Sequence, residues 1–290
     1  MRYLKTALAI LFVAALAACT PTDRREADKQ GSVSTTEEFV KHFGPAPSVD
    51  RGTAYAFVVY FPSAREPGKV MPFPFFSFDE ASLKKVALAK LIGGMGEVRA
   101  YQGEVSQLFP AGTRVLDVTQ ADGRVTANFS KELAVARQDP VTERALANAV
   151  VLTLRQFEGV SSVTVQVEGA PGGLDKQAKK ADESAVVQLA APRLLGVTAM
   201  KDKGESDVEE VDVFFDRPVD IKELVIAGAD GKQFQGDVYQ SVFDMAGVLK
   251  PKEPAQFKAG LPVKVRWNVT DKLGRNASGE SEMFLEVKEH

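Results

Sequence analysis

Cysteine and histidine are almost absent from this chain, which has one cysteine and two histidines among its 290 residues. A single cysteine cannot form an internal disulfide, so stability must come from hydrophobic cores. Three such residues are also too few for the usual zinc sites. His42 lies in the stretch KHFGPAP and His290 is the last residue, so neither is placed beside a nucleophile. We therefore expect no metal, no catalytic residues and no enzyme activity.

An excess of charge of either sign is also lacking. The chain has 36 Lys and Arg residues against 39 Asp and Glu residues, which gives a net charge of −3. No stripe of basic residues is interleaved with aromatic residues, so nucleic-acid binding is not expected. The composition, 44% hydrophobic and 26% charged, is that of a globular protein long enough for two domains.

Long hydrophobic runs are limited to one, Ala7 to Ala18. It is shorter than the about 20 apolar residues that a membrane-spanning helix needs. Arg2 and Lys5 precede this run, small residues end it, and the chain turns polar directly after Cys19. This layout is typical of an export signal.

The only cysteine lies at the end of that signal, in the sequence Leu16-Ala17-Ala18-Cys19. These four residues resemble the lipobox of bacterial lipoproteins. The resemblance implies that the signal is removed before Cys19 and that lipid is attached to its sulfur, and two or more acyl chains hold a protein stably in a bilayer. That covalent lipid is the only prosthetic group we expect. The alternative is a chance cysteine after an ordinary cleavable signal.

The composition divides the chain into five parts. The predicted parts are a signal peptide over residues 1–18, a lipidated flexible tether over 19–51, an α+β domain over 52–170, a linker over 171–191 and a β-sandwich over 192–290. The tether is polar and has no apolar periodicity, which is why we expect it to be flexible.

The first domain begins with an apolar strand over Thr53 to Pro62, which we expect to be buried on both faces. A capping-box pattern at Ser77 and Glu80 predicts a helix that begins close to Phe78. That helix is expected to end at Gly93 and Gly94.

A hairpin is predicted around Asp122-Gly123, because this dipeptide stands between two alternating apolar runs. Asp139 and Pro140 predict the start of a second helix, and a last strand carries Val163 and Val165. The predicted order is β-α-β-β-α-β, with both helices on one face of a small mixed sheet.

This part of the chain resembles the GerMN domain of bacterial sporulation and spore-germination lipoproteins. The residues that match are Pro110, Gly112, Thr113, Asp122, Gly123, Asn128, Phe129, Ser130, Glu132, Thr153, Gln156, Gly159, Val163 and Gly169. The resemblance implies a non-enzymatic domain, similar in fold to ring-building motifs, that acts through protein contacts. The well-known germination members carry two such domains in tandem, whereas only one is present here.

The second domain changes to a period of two residues. Val211, Val213 and Phe215 alternate with Asp212, Phe214 and Asp216, and the run Val263, Val265, Trp267 and Val269 alternates with polar residues. A second hairpin is predicted around Asp230-Gly231. Short alternating strands without helices predict a sandwich, which resembles the immunoglobulin-like domains that follow many GerMN domains. We expect Trp267 to lie in its core.

An aromatic cluster gives the only candidates for a partner-binding site. Phe73, Phe75 and Phe76 lie close together in MPFPFFSF. They either pack under the first helix or stay exposed and dock a partner, since an apolar patch on a globular domain usually marks an interface.

Other chemistry is poorly supported. Asp212 and Asp216 are four residues apart on a strand, about 13 Å, which is too far for a glycosidase pair. Asp271, Asn276 and Glu280 lack the spacing of a calcium loop.

The sequence thus predicts a lipid-anchored envelope protein that faces outside the cytoplasm. If the cell is Gram-negative, this means the periplasm or outer membrane. The protein's expected partners are the membrane and other envelope proteins or a second copy, with no small-molecule substrate. The resemblance adds a sporulation or germination role. A carbohydrate- or peptidoglycan-binding lipoprotein and a carboxylate-based hydrolase are the alternatives.

Overall fold

The computed structural model describes residues 31–95, 100–135, 139–171 and 173–289. The first unit has strands β1 (Ser32–Thr35), β2 (Thr53–Pro62), β3 (Val70–Ser77), β4 (Val115–Ala121), β5 (Arg124–Phe129), β6 (Ser162–Val167) and β7 (Ala170–Pro171). Its helices are α1 (Glu37–Phe43), α2 (Leu83–Gly93), α3 (Glu132–Val135), α4 (Pro140–Arg155) and α5 (Gly173–Ala178). The second unit has β8 (Leu194–Lys201), β9 (Glu210–Phe215), β10 (Val219–Gly228), β11 (Gly236–Gln240), β12 (Ala246–Pro251), β13 (Pro262–Asp271), β14 (Asn276–Phe284) and β15 (Glu286–Glu289).

The centre of the first unit is the hairpin of β2 and β3, to which β1 adds in parallel. Strand β2 is buried from Ala56 to its end, as the sequence predicts. No strand was predicted over the residues of β3. Its Pro72 and Pro74 oppose Tyr60 and Val58, and proline is tolerated in a strand where its missing N–H faces a free edge.

The helix predicted to begin near Phe78 begins later, at Leu83. Ser77 and Asp79 do not cap it. The Ser77 hydroxyl accepts from the amide of Asp79, and the Asp79 carboxylate accepts from the amide of Ala81. These bonds stabilise turns in the loop between strand and helix, so the capping box predicted at Ser77 and Glu80 does not form.

The segment before β2 is folded and is not a flexible tether up to residue 51. Thr36 caps α1 by accepting from the amide of Phe39, and Gly44 ends it. Phe39 and Phe43 are 0% and 1% exposed. Because their rings are covered by the β2–β3 hairpin, with Phe39 5.5 Å from the ring of Phe76, α1 belongs to the core of the first unit.

A second sheet runs in the order β4-β5-β6-β7. The hairpin at Asp122-Gly123 is confirmed, with φ of 50° and 76° at these residues. Helix α4 is confirmed as well, since Asp139 accepts from the amides of Val141 and Thr142. The prediction of one mixed sheet is wrong, because β2 pairs with β1 and β3 instead of joining β4–β7.

The predicted linker over 171–191 is also largely part of the first unit. Leu174, Ala178 and Ala181 are at most 9% exposed and pack into the first core. Val186 then forms a parallel bridge with Val70 at the start of β3. The small and charged residues of this segment predicted a domain boundary, but its few apolar residues pack into the core of the first unit.

The second unit is built on the sheets β11-β12-β9-β8-β15 and β10-β13-β14, with short 3-10 turns at Val242–Asp244 and Pro254–Gln256. The predicted inward residues of β9 and β13 form its core, and Trp267 is 8% exposed. The predicted Asp230-Gly231 hairpin is present but short. The amide of Gly228 donates to the carbonyl of Lys232, the amide of Phe234 donates to the carbonyl of Ile226, and Ala227 and Gln233 form an antiparallel bridge. Beyond this turn the chain enters the other sheet, so β10 pairs with β13 and β11 pairs with β12.

The two units meet through partly buried charged side chains. On the side of the second unit, Arg217, 3% exposed, binds the carboxylate of its neighbour Asp216 with both Nε and Nη2, at 3.0 and 2.9 Å. Arg193 reaches across to Glu104 of the first unit at 2.5 Å. Arg275 donates to the carbonyl of His42 in α1 at 3.0 Å. Charges that are buried in pairs resist separation, because parting them leaves an uncompensated charge.

Candidate functional site

The first unit has a groove of about 1200 Å³. Its walls are the end of β1 with the start of α1, the loop before α2, the exposed strand β4, and the end of α4. The groove exists because β2 and β4 belong to different sheets, so the surface between them is bridged only by helices.

Acidic side chains outnumber basic ones around this groove. The acidic residues are Glu37, Glu38, Glu80, Asp117, Glu158 and Glu183, and the basic residues are Lys84, Lys85 and Arg155. Its floor is apolar and contains Phe57 and Phe157, whose rings are 5.8 Å apart. An apolar floor with an acidic rim can bind a positively charged chain segment with some apolar side chains.

Two helix residues that carry the GerMN resemblance complete the edge of β2. The side-chain amide of Gln156 accepts from the amide of Val58 at 2.7 Å and donates to its carbonyl at 2.6 Å. The hydroxyl of Thr153 accepts from the amide of Tyr60 at 3.0 Å. These bonds replace a strand where β1 has ended, and buried backbone groups need such partners. The pattern Thr153 and Gln156 is therefore structural.

A small polar cluster links α1 to β2 near the groove. The hydroxyl of Tyr60 donates to Glu38 at 2.7 Å, and Nε2 of His42 lies 3.1 Å from that hydroxyl and 3.3 Å from Glu38. Burial lowers the pKa of His42. Burial and the bond to Glu38 raise the pKa of Tyr60 far above its usual value. A tyrosine that stays protonated is a poor nucleophile, so the cluster stabilises the fold.

Helix α1 is also tied to the segment after α5. Lys41 lies 2.6 Å from Glu183, which raises the pKa of Lys41 and lowers that of Glu183. Sequence reasoning missed α1 altogether. The usable signals were the capping threonine, the acidic first turn, and Phe39 and Phe43 four residues apart.

The three predicted partner-binding phenylalanines lie against the chain itself. Phe73 is 4% exposed and meets the ring of Tyr101 at 4.9 Å. Phe75 is half-buried and stacks near Phe57. Phe76 is half-buried and stacks on Phe243 of the second unit, with ring centres 4.1 Å apart. Packing thus accounts for all three, and the exposed residue of this cluster is Phe78, at 64%.

The carboxylates that might have suggested catalysis or calcium have other partners. Asp216 is held by Arg217, and Asp271 accepts from two amides of its own turn and from Arg275. Asp212 and Asp216 are both 8% exposed. Among the described residues, no group of three or more His, Cys, Asp and Glu side chains could hold a metal.

The predicted lipidation residue Cys19 and the lipobox residues Leu16, Ala17 and Ala18 lie outside the described residues. Within the described part of the chain, no helix has the length and apolarity required to cross a membrane.

Residues 58–173 match the family model described as "Germane: Sporulation and spore germination". No curated protein matches the chain. Similar solved structures include the first GerMN domain of the sporulation protein GerM from Bacillus subtilis, at 24% identity and a TM-score of 0.34, covering 40% of this chain and 85% of that one. The tandem GerMN domains of GerM align at 20% identity and a TM-score of 0.35, covering 55% of this chain and 58% of that one. CopC from Methylosinus trichosporium OB3b aligns at 16% identity and a TM-score of 0.24, covering 34% of this chain and 97% of that one.

These TM-scores are too low to establish a shared fold, so the assignment depends on the family match. The matched residues run from Val58, within β2, to the start of α5, and they include Thr153 and Gln156, which complete the edge of β2. Residues 58–173 therefore contain a domain similar to the family described as sporulation and spore germination.

Proposed function

We propose that this protein is a lipoprotein of the bacterial cell envelope that works in sporulation or germination by binding and assembly. The observation that carries the proposal is the family match over residues 58–173. The residues behind it form caps, turns and strand edges and do not form a reaction centre. We also propose that the second unit is an immunoglobulin-like sandwich, because two sheets of short strands enclose one core.

The short segment between Cys19 and the first folded residues limits the distance between the proposed lipid anchor and the first unit. Gly31 already bonds to the carbonyl of Asp50, and Cys19 is twelve positions before it. Twelve residues span at most about 40 Å when fully extended. A lipid on Cys19 would therefore hold the first unit close to the bilayer surface.

The groove is the proposed site for a protein partner. Its acidic rim and apolar floor suit a basic segment of another envelope protein. We expect Glu37→Lys combined with Asp117→Lys to weaken crosslinking to that partner in cells. Glu253→Lys, an exposed acidic residue of the second unit, is the matched control. Equal crosslinking by the natural protein, the double variant and the control variant would show that the partner does not bind in the groove.

The anchor is tested with Cys19→Ala in the native cell. We expect this variant to lose labelled palmitate and to leave the membrane fraction, whereas Thr20→Ala should keep both. Unchanged labelling of Cys19→Ala would contradict the lipoprotein proposal. Retention of the released protein on purified cell wall would instead favour the peptidoglycan-binding alternative.

A further inference from the structure

An exposed apolar patch lies where the two units meet. It consists of Phe78 in the loop between β3 and α2, and of Val242 and Phe243 in the turn between β11 and β12. We call these three residues the junction patch. Phe78 and Val242 are 64% and 61% exposed, and the rings of Phe78 and Phe243 are 5.7 Å apart. Exposed apolar side chains from two separate loop tips thus form one surface.

The turn that presents Phe243 is held in an unusual conformation. Phe243 and Asp244 have φ of 65° and 54°, a region that residues other than glycine rarely adopt. The ring of Phe243 lies nearly parallel to that of Phe76, at 11°, and the Asp244 carboxylate lies 2.7 Å from Lys272. Because such backbone persists only where its surroundings fix it, the position of this ring is well determined.

The chain enters the fold close to the junction patch. Ser34 of β1 and Ser77 of β3 both pair with Tyr55 of β2, so they are about 10 Å apart. Strand β1 begins at Ser32, and Phe78 directly follows Ser77. The entry point and Phe78 therefore lie at the same end of the sheet, within about 20 Å of each other.

We propose that the junction patch enters the interfacial layer of the bilayer to which the chain is tied. This inference rests on the proposed lipid anchor. Three side chains are too few for a stable protein interface, which buries about 1,200 Å² or more. The residues between Cys19 and Gly31 would hold the bilayer within about 40 Å of the first unit. A weak contact is then sufficient, because tethering makes this second contact intramolecular. Aromatic side chains favour the interfacial layer.

The neighbouring charges indicate which lipid the patch would meet. Asp79 and Asp244 adjoin Phe78 and Phe243 in the sequence, and Lys272 is already paired with Asp244 and Asp220. Lys272 is thus not free to bind anionic headgroups. The contact is with neutral phospholipid and is driven by apolar burial.

The test uses the mature lipidated protein in phosphatidylcholine vesicles. Because the chain has one cysteine and the lipid occupies it, Phe78→Cys or Val242→Cys adds a single free thiol for an environment-sensitive dye. We expect blue-shifted emission at both positions, and quenching by nitroxide-labelled lipid. Phe284→Cys is the matched control. Phe284 is 75% exposed and lies eight residues along β14 from Asn276, about 26 Å from the turn near the junction.

Sedimentation with the vesicles separates the two proposals. Protein that stays in the supernatant would contradict the anchor. Protein that sediments, while dyes at 78 and 242 report the same aqueous surroundings as the dye at 284, would overturn the membrane contact and leave the anchor standing. A blue shift that needs no vesicles and grows with protein concentration would also overturn it, since it would assign the patch to a second copy.

Discussion

The first and second units are both built on sheets, but they satisfy their strand edges and cover their faces in different ways. In the first unit, the second half of β2 is paired by side chains of α4, and one face of the β2–β3 hairpin is covered by α1. In the second unit, two sheets enclose a core of alternating residues. The first unit therefore depends on a few specific helix residues, whereas the second depends on a repeated pattern.

The largest loss of stability is expected for Phe39→Ala in α1, which tests how far the first unit depends on this helix. Removing a fully buried phenylalanine costs about 3–5 kcal/mol in the free energy of unfolding. Val40→Ala, on the same helix but at a residue 43% exposed, should cost about 0.5 kcal/mol or less. Denaturant unfolding measures both. Equal small losses would mean that α1 does not unfold with the first unit.

The next test concerns the side chain that replaces a strand. Gln156→Ala leaves the amide and carbonyl of Val58 without these partners, and we expect a loss of about 1–3 kcal/mol. Gln120→Ala is the control, because Gln120 is exposed and bonds only a surface carbonyl. Hydrogen exchange at the Val58 amide should accelerate in the first variant only. An unchanged exchange rate would show that β2 does not need this side chain.

A smaller effect tests whether the two units are coupled. A double-mutant cycle of Phe76→Ala and Phe243→Ala should give a coupling of about 0.5–1.5 kcal/mol, as for other stacked aromatic pairs. Phe76 paired with Phe234 is the control, because Phe234 packs on Phe257 inside the second unit. A coupling near zero for both pairs would mean that the units are not held together by the stacked rings.

The smallest expected effect is the pH dependence from His42. Burial lowers its pKa below 6.5, although Glu38 opposes this shift, while Lys41 and Arg275 add to it. The unfolded chain then binds the proton more readily, so stability is complete above pH 6.5 and falls as the pH drops towards the folded-state pKa.

We therefore expect His42→Gln to lose less stability than the natural protein between pH 7.5 and pH 5. Titration by NMR gives the pKa directly, with His290 as the second histidine in the same sample. A pKa for His42 above 6.5 would reverse the sign and contradict the prediction.

Local signals were sufficient for elements whose chemistry is contained within a few residues. Asp139 before Pro140 placed the start of α4, Asp122-Gly123 placed a hairpin, and alternation identified the core residues of β13. Local signals failed where an element depends on a segment that is distant in the sequence. Pro72 and Pro74 concealed β3, because the free edge that tolerates them is visible only once the sheet has formed.

The groove and the junction patch were outside the reach of the sequence for the same reason. The groove is bounded by segments from residue 34 to residue 183, and no local pattern states that β2 and β4 belong to different sheets. Predicting the junction patch would have required knowing that Phe78 lies beside Phe243. The aromatic cluster around Phe73 was noticed correctly, but burial decided which of its rings stays exposed.

The sequence by itself determined the resemblance of residues 58–173 to the family model, the elements with strong local signals such as β2, α4 and β13, and the inward residues of the second unit. These follow from side-chain period, caps and turn residues, which act over a few positions. Only the tertiary structure decided that the supposed tether and linker join the first core, and that Gln156 serves as the edge partner of Val58, 98 positions away. Burial and pairing across such distances depend on which faces meet, and that is settled by packing the whole chain.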